Sequence, residues 1–442
     1  MSAGAGSLAG RRWPGALAHR MISVRAAALT VVLGASTAMA VSYAPVPQTL
    51  LLGGVAGLIV ALVVVASPAL SAVMLGVSIP EIQDVTGGHL GVHVAASDVV
   101  LVLIGARVLA EGTVHQRFPA LSALRRVRVP VLQYGWMIAL VLVFHLGLGT
   151  SLKSMQRLEL FALPLVVGAY VALRGKHMLV LRAYVLACTL LAVVWPILNS
   201  HGLAGQFQKN PTGGFIASAL LLLMAVRPLR RLLWCAPLLL LGVGLTASRG
   251  AVLALAVGIV VIFAMQGAAG AWRSQIARIL VVVVTGVVVY LFLPASITTR
   301  LTNYTASEQS RSSYALEIRE QYYQAAEKLI AQHRWTGIGV GNYSTGSVAD
   351  GDFTTDPHNV ILLEAAEGGY LFAASFIALI GGLAFALWRM RRLELAVAAA
   401  AVLLATFAHG LVDVYWVRGT PILGFLLIGM VCGLAARQRA SA

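Results

Sequence analysis

The sequence predicts an all-α polytopic membrane protein, and three observations carry that prediction. Of the 442 residues, 59% are hydrophobic and 11% charged, with a mean hydropathy of +0.86; soluble globular domains carry charge on about a quarter of their residues. The apolar residues come in Leu, Val, Ala and Gly runs on the scale of the ~20 residues that cross a bilayer as a helix. The runs do not alternate as short strands do, so of the two architectures that satisfy their backbone inside lipid, the helical bundle is favoured over the closed barrel.

The third observation is where the net charge of +16 sits. Basic residues gather at intervals: Arg11, Arg12, Arg20 and Arg25; Arg117, Arg125, Arg126 and Arg128; Arg174, Lys176 and Arg182. The series goes on with Arg227, Arg230 and Arg231, then Arg273 and Arg278, then Arg389, Arg391 and Arg392, then Arg437 and Arg439. About two spans separate successive clusters, which puts them all on one face. That is the positive-inside pattern, with both termini cytoplasmic. It argues against nucleic acid as a partner and leaves contact with anionic lipid as a secondary effect. Cys188, Cys235 and Cys432 lie in or beside apolar runs without a CxxC, so neither a disulfide framework nor a zinc ribbon is supported.

In chain order, residues 1–21 read as a cytoplasmic tail and 22–294 as the first part of the bundle. Spans are expected near 22–43, 50–66, 69–80, 95–110, 131–148, 157–173, 178–196, 212–226, 232–247, 250–267 and 279–294. The first resembles a signal peptide, but apolar segments follow it at once, which favours a retained span. Residues 295–358 form one long periplasmic or extracellular loop; 359–435 are C-terminal spans near 369–387, 395–413 and 420–435; 436–442 are a cytoplasmic tail. The total is about 12–14 transmembrane helices. Within the long loop, Ser312 and Ser313 can cap a helix running to about Gln332, with Tyr323, Leu329 and Ile330 on an apolar face. Such a helix would lie on the membrane surface or roof a cavity.

A few polar residues fall on the outer side of this layout. His89 and His93 flank Gly91 in a turn-rich loop and read as solvated rather than metal-binding. Arg157 either snorkels to the interface or meets substrate. Lys209 and Asn210 are equally cap residues or contacts to an anion. Arg249, in Thr246-Ala247-Ser248-Arg249-Gly250, is pressed by apolar runs on both sides; a charge there asks for an anion or a wet cavity, the alternative being a snorkelling turn. The glycines of Trp335-Thr336-Gly337-Ile338-Gly339-Val340-Gly341-Asn342-Tyr343 lack the Lys-Ser/Thr of a P-loop, and suit a backbone passing close to a ligand or a helix. The loop ends in Asp356-Pro357-His358-Asn359, and a last outer cluster holds His409, Asp413, Tyr415, Trp416 and Arg418.

A site on this face cannot draw on cytosolic nucleotides, so its donor has to be carried by the membrane, and a lipid-linked diphosphate is the obvious carrier. The guanidinium fork matches phosphate oxygens and would stabilise a departing diphosphate. A histidine among such groups can take a proton from an acceptor hydroxyl; for His358 the competing reading is a locally bonded helix-start residue. Neither a metalloprotease motif, a paired-acid arrangement nor a nucleophile elbow is present. Transfer without a metal or other cofactor is therefore expected.

Four pieces together resemble the O-antigen ligase / O-antigen polymerase superfamily of bacterial membrane glycosyltransferases. They are Leu245-Thr246-Ala247-Ser248-Arg249-Gly250-Ala251; Arg319 followed by Tyr323, Ala326, Leu329 and Ile330; the glycine turn at 335–343; and His358-Asn359 with Glu367-Gly368-Gly369 beyond. Their order covers roughly residues 210–390. The sequence departs from the common pattern at Tyr343, at Pro357 and at Tyr322-Tyr323, and none of these changes removes a reactive group. The resemblance implies a GT-C-like helical bundle in the inner membrane that moves a glycan from undecaprenyl diphosphate to an acceptor hydroxyl, inverting the anomeric centre. The acceptor would be lipid A–core or a similar glycolipid in a ligase, and another lipid-linked repeat in a polymerase. Carried onto this chain, the resemblance makes His358 the base and Arg249 and Arg319 the diphosphate ligands. Arg157, Lys209, Asn210, Ser248, Asn359, Asp413 and Arg418 are the expected substrate contacts. A transporter of lipid-linked glycan is the expectation from another class; it would call for repeats and charges within the spans, and neither is evident.

Overall fold

The computed structural model describes residues 67–80, 95–200, 208–246, 248–267, 319–351, 356–416 and 419–441, and these hold helices, turns and connecting segments without a β-strand. Two units are distinguished, Met1–Ser71 and Ala72–Ala442; only residues 67–71 of the first are described.

In chain order the helices are α1 (Pro68–Ser78), α2 (Ala96–His115), the short α3 (Pro119–Ala123), α4 (Arg128–Phe144), α5 (Leu148–Leu173), α6 (His177–Ser200) and α7 (Lys209–Ala225). A 3-10 stretch, Arg227–Cys235, runs into α8 (Ala236–Thr246), followed by α9 (Arg249–Gly267). Then come α10 (residues 319–332), α11 (Tyr343–Ala349), α12 (Val360–Arg389), α13 (Glu394–Gly410) and α14 (Ile422–Ser441). Among the described residues, six helices are long and apolar enough to cross a membrane, or seven if the pair Pro119–Arg126 and Arg128–Phe144, bent by 100°, is one span. The chain is thus an all-α, multi-pass membrane protein. A helix covers each expected span that falls within the described residues; those at 22–43, 50–66 and 279–294 lie outside them.

Small residues let the central helices touch. A Cβ on Gly168 of α5 would run into the Leu426 carbonyl of α14, and one on Gly429 into the Leu165 carbonyl. Gly433 continues the stripe against Ala169. Association in lipid depends on such close backbone contact, since burial of apolar surface offers little there. Beside this seam an aromatic core links three helices and the turn after α13. Tyr134 of α4 stacks on Phe372 of α12 at 5.4 Å and meets Phe161 of α5 edge-on at 5.2 Å, and Phe376 of α12 meets Trp416 at 5.2 Å.

Helix ends sort the charge. At one end Arg174 pairs with Glu111, Arg227 with Glu394, and the Arg437 guanidinium lies beside Gly175. The opposite end gathers the starts of α5, α7, α9 and α12 and the end of α13.

Two boundaries differ from the sequence reading. α5 begins at Leu148 rather than near 157, because Lys153 and Arg157, too polar for a lipid-facing helix, find partners on other elements. The helix that carries the expected 369–387 span does break at Gly369, but it is extended back to Val360 ahead of that break, because Glu364 and Glu367, which interrupt the apolar run, are likewise paired inside the protein. The expected start of the loop helix at Ser312 and Ser313 lies outside the described residues. Its described part, α10, buries Ala326, Leu329 and Ile330 against Tyr343, Leu363 and Ala366, so it packs on the first part of α12.

α12 is broken at Gly369, whose φ of 79° and ψ of 178° leave helical space. The break frees carbonyls that the next turn would have used, and the glycine turn meets them. Ile338 N–H donates to Ala366 O at 3.0 Å, Gly339 N–H to Glu367 O at 2.9 Å, and Tyr370 N–H to Arg334 O at 2.9 Å. A Cβ at Gly369 would stand 2.6 Å from the Trp335 carbonyl carbon and oxygen. Gly369→Ala combines that overlap with a left-handed φ, and is expected to destabilise the protein by roughly 1–3 kcal/mol from strain alone. Thermal unfolding in detergent, compared with Gly381→Ala, where the added carbon meets nothing, checks this.

Candidate functional site

The site forms where the starts of α10 and α12 meet the turn after α13. Asn359 caps α12, its side-chain oxygen accepting from Ile361 N–H at 2.9 Å and Leu362 N–H at 3.2 Å. His358, just ahead, is held at φ 55°, a left-handed conformation uncommon for a residue with a side chain. Asp356 secures it by accepting the His358 backbone N–H at 2.7 Å. The carboxyl of Asp356 is pushed up to about 6, chiefly by its removal from water and further by the charges of Glu367 and Asp413.

The imidazole of His358 lies between two neighbours. Its face stacks on Tyr322 of α10, with centroids 5.2 Å apart and planes 19° apart. Its Nδ1 is 3.3 Å from Asp413 Oδ1, close but not aligned as a hydrogen bond. Arg319, one helical turn before Tyr322, brings a terminal nitrogen to 3.5 Å from Asp413 Oδ2. Asp413 is therefore the buried carboxylate on which Arg319 and His358 converge. Burial works against its charge, but the His358 contact, His409 and Arg319 outweigh burial and hold the carboxyl below its ordinary range. Asp356 and Asp413, with Val360, Leu363, Tyr415 and Trp416, line a shallow cleft here.

Arg249 approaches from another direction. It opens α9 with its side chain exposed, and it makes no hydrogen bond or ion pair with the described residues. Ser248, buried before it, accepts from Ala251 N–H at 3.2 Å and so caps the helix. Gly250 lies against the ring of His409, which stacks on Tyr415 at 3.8 Å. Gly214 of α7 abuts that same Tyr415, so Lys209 and Asn210, in the first turn of α7, open on this end as well. Arg418 lies outside the described residues.

Arg157 is held elsewhere. From the middle of α5 its guanidinium forks to Glu364 and to Glu367, the latter at 2.7 Å, and Tyr134 OH donates to Glu364 at 2.8 Å. The glycine turn is tied to the start of α5 rather than arranged around an anion. Lys153 donates to Gly341 O at 2.8 Å, Asn342 Nδ2 donates to Thr150 at 3.2 Å, and the His145 ring lies 3.1 Å from Thr336 O.

The sequence reading did not foresee Tyr322 as a stacking partner, His409 as the ring under Gly250, or Arg157 as the partner of Glu364 and Glu367. The last had a visible signal: two carboxylates three residues apart at the start of an apolar run call for a cation.

Residues 234–377 match the family model described as O-antigen ligase. The matched stretch contains Ser248, Arg249, Arg319, the glycine turn and His358. The match supports the superfamily assignment and a ligase-type glycosyltransferase function on a lipid-linked glycan. No curated protein matches the chain.

Proposed function

From the O-antigen ligase match as premise, we propose that the chain transfers a glycan from undecaprenyl diphosphate to a glycolipid hydroxyl, such as one of lipid A–core, on the outer face of the bacterial inner membrane. The reading includes a GT-C-like bundle of 12–14 spans, cytoplasmic termini and inversion at the anomeric carbon. The observation that carries it is the convergence of His358 and Arg319 on one buried carboxylate, Asp413.

With Nδ1 turned to Asp413, the nitrogen of His358 left to meet substrate is Nε2. A hydrogen on Nδ1 facing the carboxylate leaves the Nε2 lone pair free to accept the acceptor's hydroxyl proton. The acceptor oxygen then bonds to the anomeric carbon from the side opposite the diphosphate, the bond from that carbon to the diphosphate oxygen breaks, and undecaprenyl diphosphate departs. Arg319 and Arg249 face the charge that grows on it. Arg249 adds the amide-rich start of α9, where an anion is favoured. Lys209, Asn210 and Arg418 contribute further contacts to the donor or acceptor.

The test is purified protein in sealed proteoliposomes with an undecaprenyl-diphosphate-linked glycan, with lipid A–core or a second lipid-linked repeat as acceptor, and with and without a chelator. A new glycosidic linkage by mass spectrometry supports the reading, and the productive acceptor separates ligase from polymerase. Translocation of the donor without a new linkage overturns it. In the same assay Arg249→Ala and Arg319→Ala should each lower donor kcat/KM about 100-fold or more. The lysine versions should recover only part of that loss, since an ammonium lacks the paired donors.

A further inference from the structure

We propose that Arg157, with Glu364 and Glu367, positions the base: the buried ion cluster sets where His358 stands, though none of its members reaches substrate. The inference rests on the transferase reading above and adds residues to it.

The segment that carries His358 is short and interrupted. Residues 360–368 lie between the Asn359 cap and the break at Gly369, so helical continuity with the rest of α12 does not fix them. Their position has to come from the sides. On one side the glycine turn receives the carbonyls of Ala366 and Glu367. On the other, Arg157 reaches both Glu364 and Glu367, three residues apart on one face, and Tyr134 adds a hydrogen bond to Glu364. Glu364 has no exposed surface and Glu367 nearly none.

The direction of the hold matters. Arg157 projects from α5, a continuous helix of 26 residues seamed to α14, and Tyr134 from α4, which packs on α12 through Phe372 and Phe376. The cluster thus ties the short piece ahead of the break to a closely packed helix pair of the bundle. Displacing a reacting group by 1 Å costs about 100-fold in rate, so a hold of this kind is felt in turnover before it is felt in substrate affinity.

Two variants test it. Arg157→Lys keeps one positive charge but cannot fork to both carboxylates. The triple variant R157M/E364L/E367L removes all three charges together, which buried ion clusters tolerate in folding better than the loss of one partner. Melting temperature, kcat, and KM for donor and acceptor are measured for both. The expectation is a melting temperature and both KM values near wild type, with kcat lowered at least 10-fold in Arg157→Lys and about 100-fold in the triple variant. A triple variant that turns over within threefold of wild type overturns the proposal, as does a fall in kcat that only follows loss of folded protein. Should the triple variant not fold, Arg157→Lys decides by the same criteria. If wild-type protein transfers no glycan, the transferase reading fails instead. The positioning claim is then judged by the rate at which diethyl pyrocarbonate modifies His358, read by mass spectrometry: a change of threefold or more in Arg157→Lys sustains it, and an unchanged rate overturns it.

Discussion

Replacing His358 with alanine is expected to lower glycan transfer by about 10²–10⁴-fold, the range that a positioned general base contributes. Folding should be nearly unaffected. The side chain is only partly buried, its nearest charged neighbour Asp413 keeps Arg319, and the backbone bond from His358 N–H to Asp356 survives the change. Binding of the lipid-linked donor, followed by fluorescence or by protection of the protein against heating, should stay within a few-fold of wild type. A variant that unfolds as severely as it loses activity would remove His358 from the chemistry and make it a structural residue.

The second large effect is expected at Asp413. Asp413→Asn keeps the shape but removes the anion, and two consequences follow. Arg319 loses its counter-charge, and the amide can present its NH₂ to Nδ1 of His358 and favour the tautomer that puts the hydrogen on Nε2. The ring then meets the acceptor with a donor where a lone pair is needed. A wrong tautomer costs about 10⁴ in the comparable serine-protease arrangement; a loss of 10²–10⁴ is expected here. Asp413→Glu should recover more activity than Asp413→Asn, since it restores charge at a displaced position. The assay is kcat with saturating donor and acceptor, together with melting temperature. Near-equal activity for the aspartate and asparagine forms would show that the carboxylate neither orients His358 nor balances Arg319.

Most of the scaffold was legible in the sequence because lipid imposes a simple rule. A run apolar enough to cross must be helical, and within the described residues each such run is a helix. The misread start of α5 and the unforeseen helical stretch ahead of Gly369 share one cause. Hydropathy treats Lys153, Arg157, Glu364 and Glu367 as reasons to end a span, whereas the fold brings the four into pairs and polar contacts that let the helices continue through them. Pairing across helices is a property of the assembled bundle and leaves little trace in local pattern. The candidate site divides in the same way. His358, Arg249, Arg319 and Asp413 were visible as polar residues expected to share one end of the bundle. That Asp413 is the shared partner of Arg319 and His358, and that Tyr322 lies face-on to the imidazole, depends on a loop helix folding back over a span that follows it. The glycine turn was read as a place where backbone comes close to something. What it approaches is the broken helix on one side and the start of α5 on the other: a Cβ at Gly337 would meet the Glu367 carbonyl, one at Gly339 the His145 and Asn342 side chains, and one at Gly341 that of Lys153.

Asp413 has one more consequence, for the order in which the protein is made. It follows His358 in the chain by the whole of α12 and α13, and Arg319 precedes both. A nascent polypeptide that has delivered its loop outward but not yet α13 holds an imidazole and a guanidinium with no acid between them. On the proposed reading, competence arises only once the turn after α13 has been made, so a chain stalled or clipped before it would carry His358 and Arg319 without the carboxylate on which they converge.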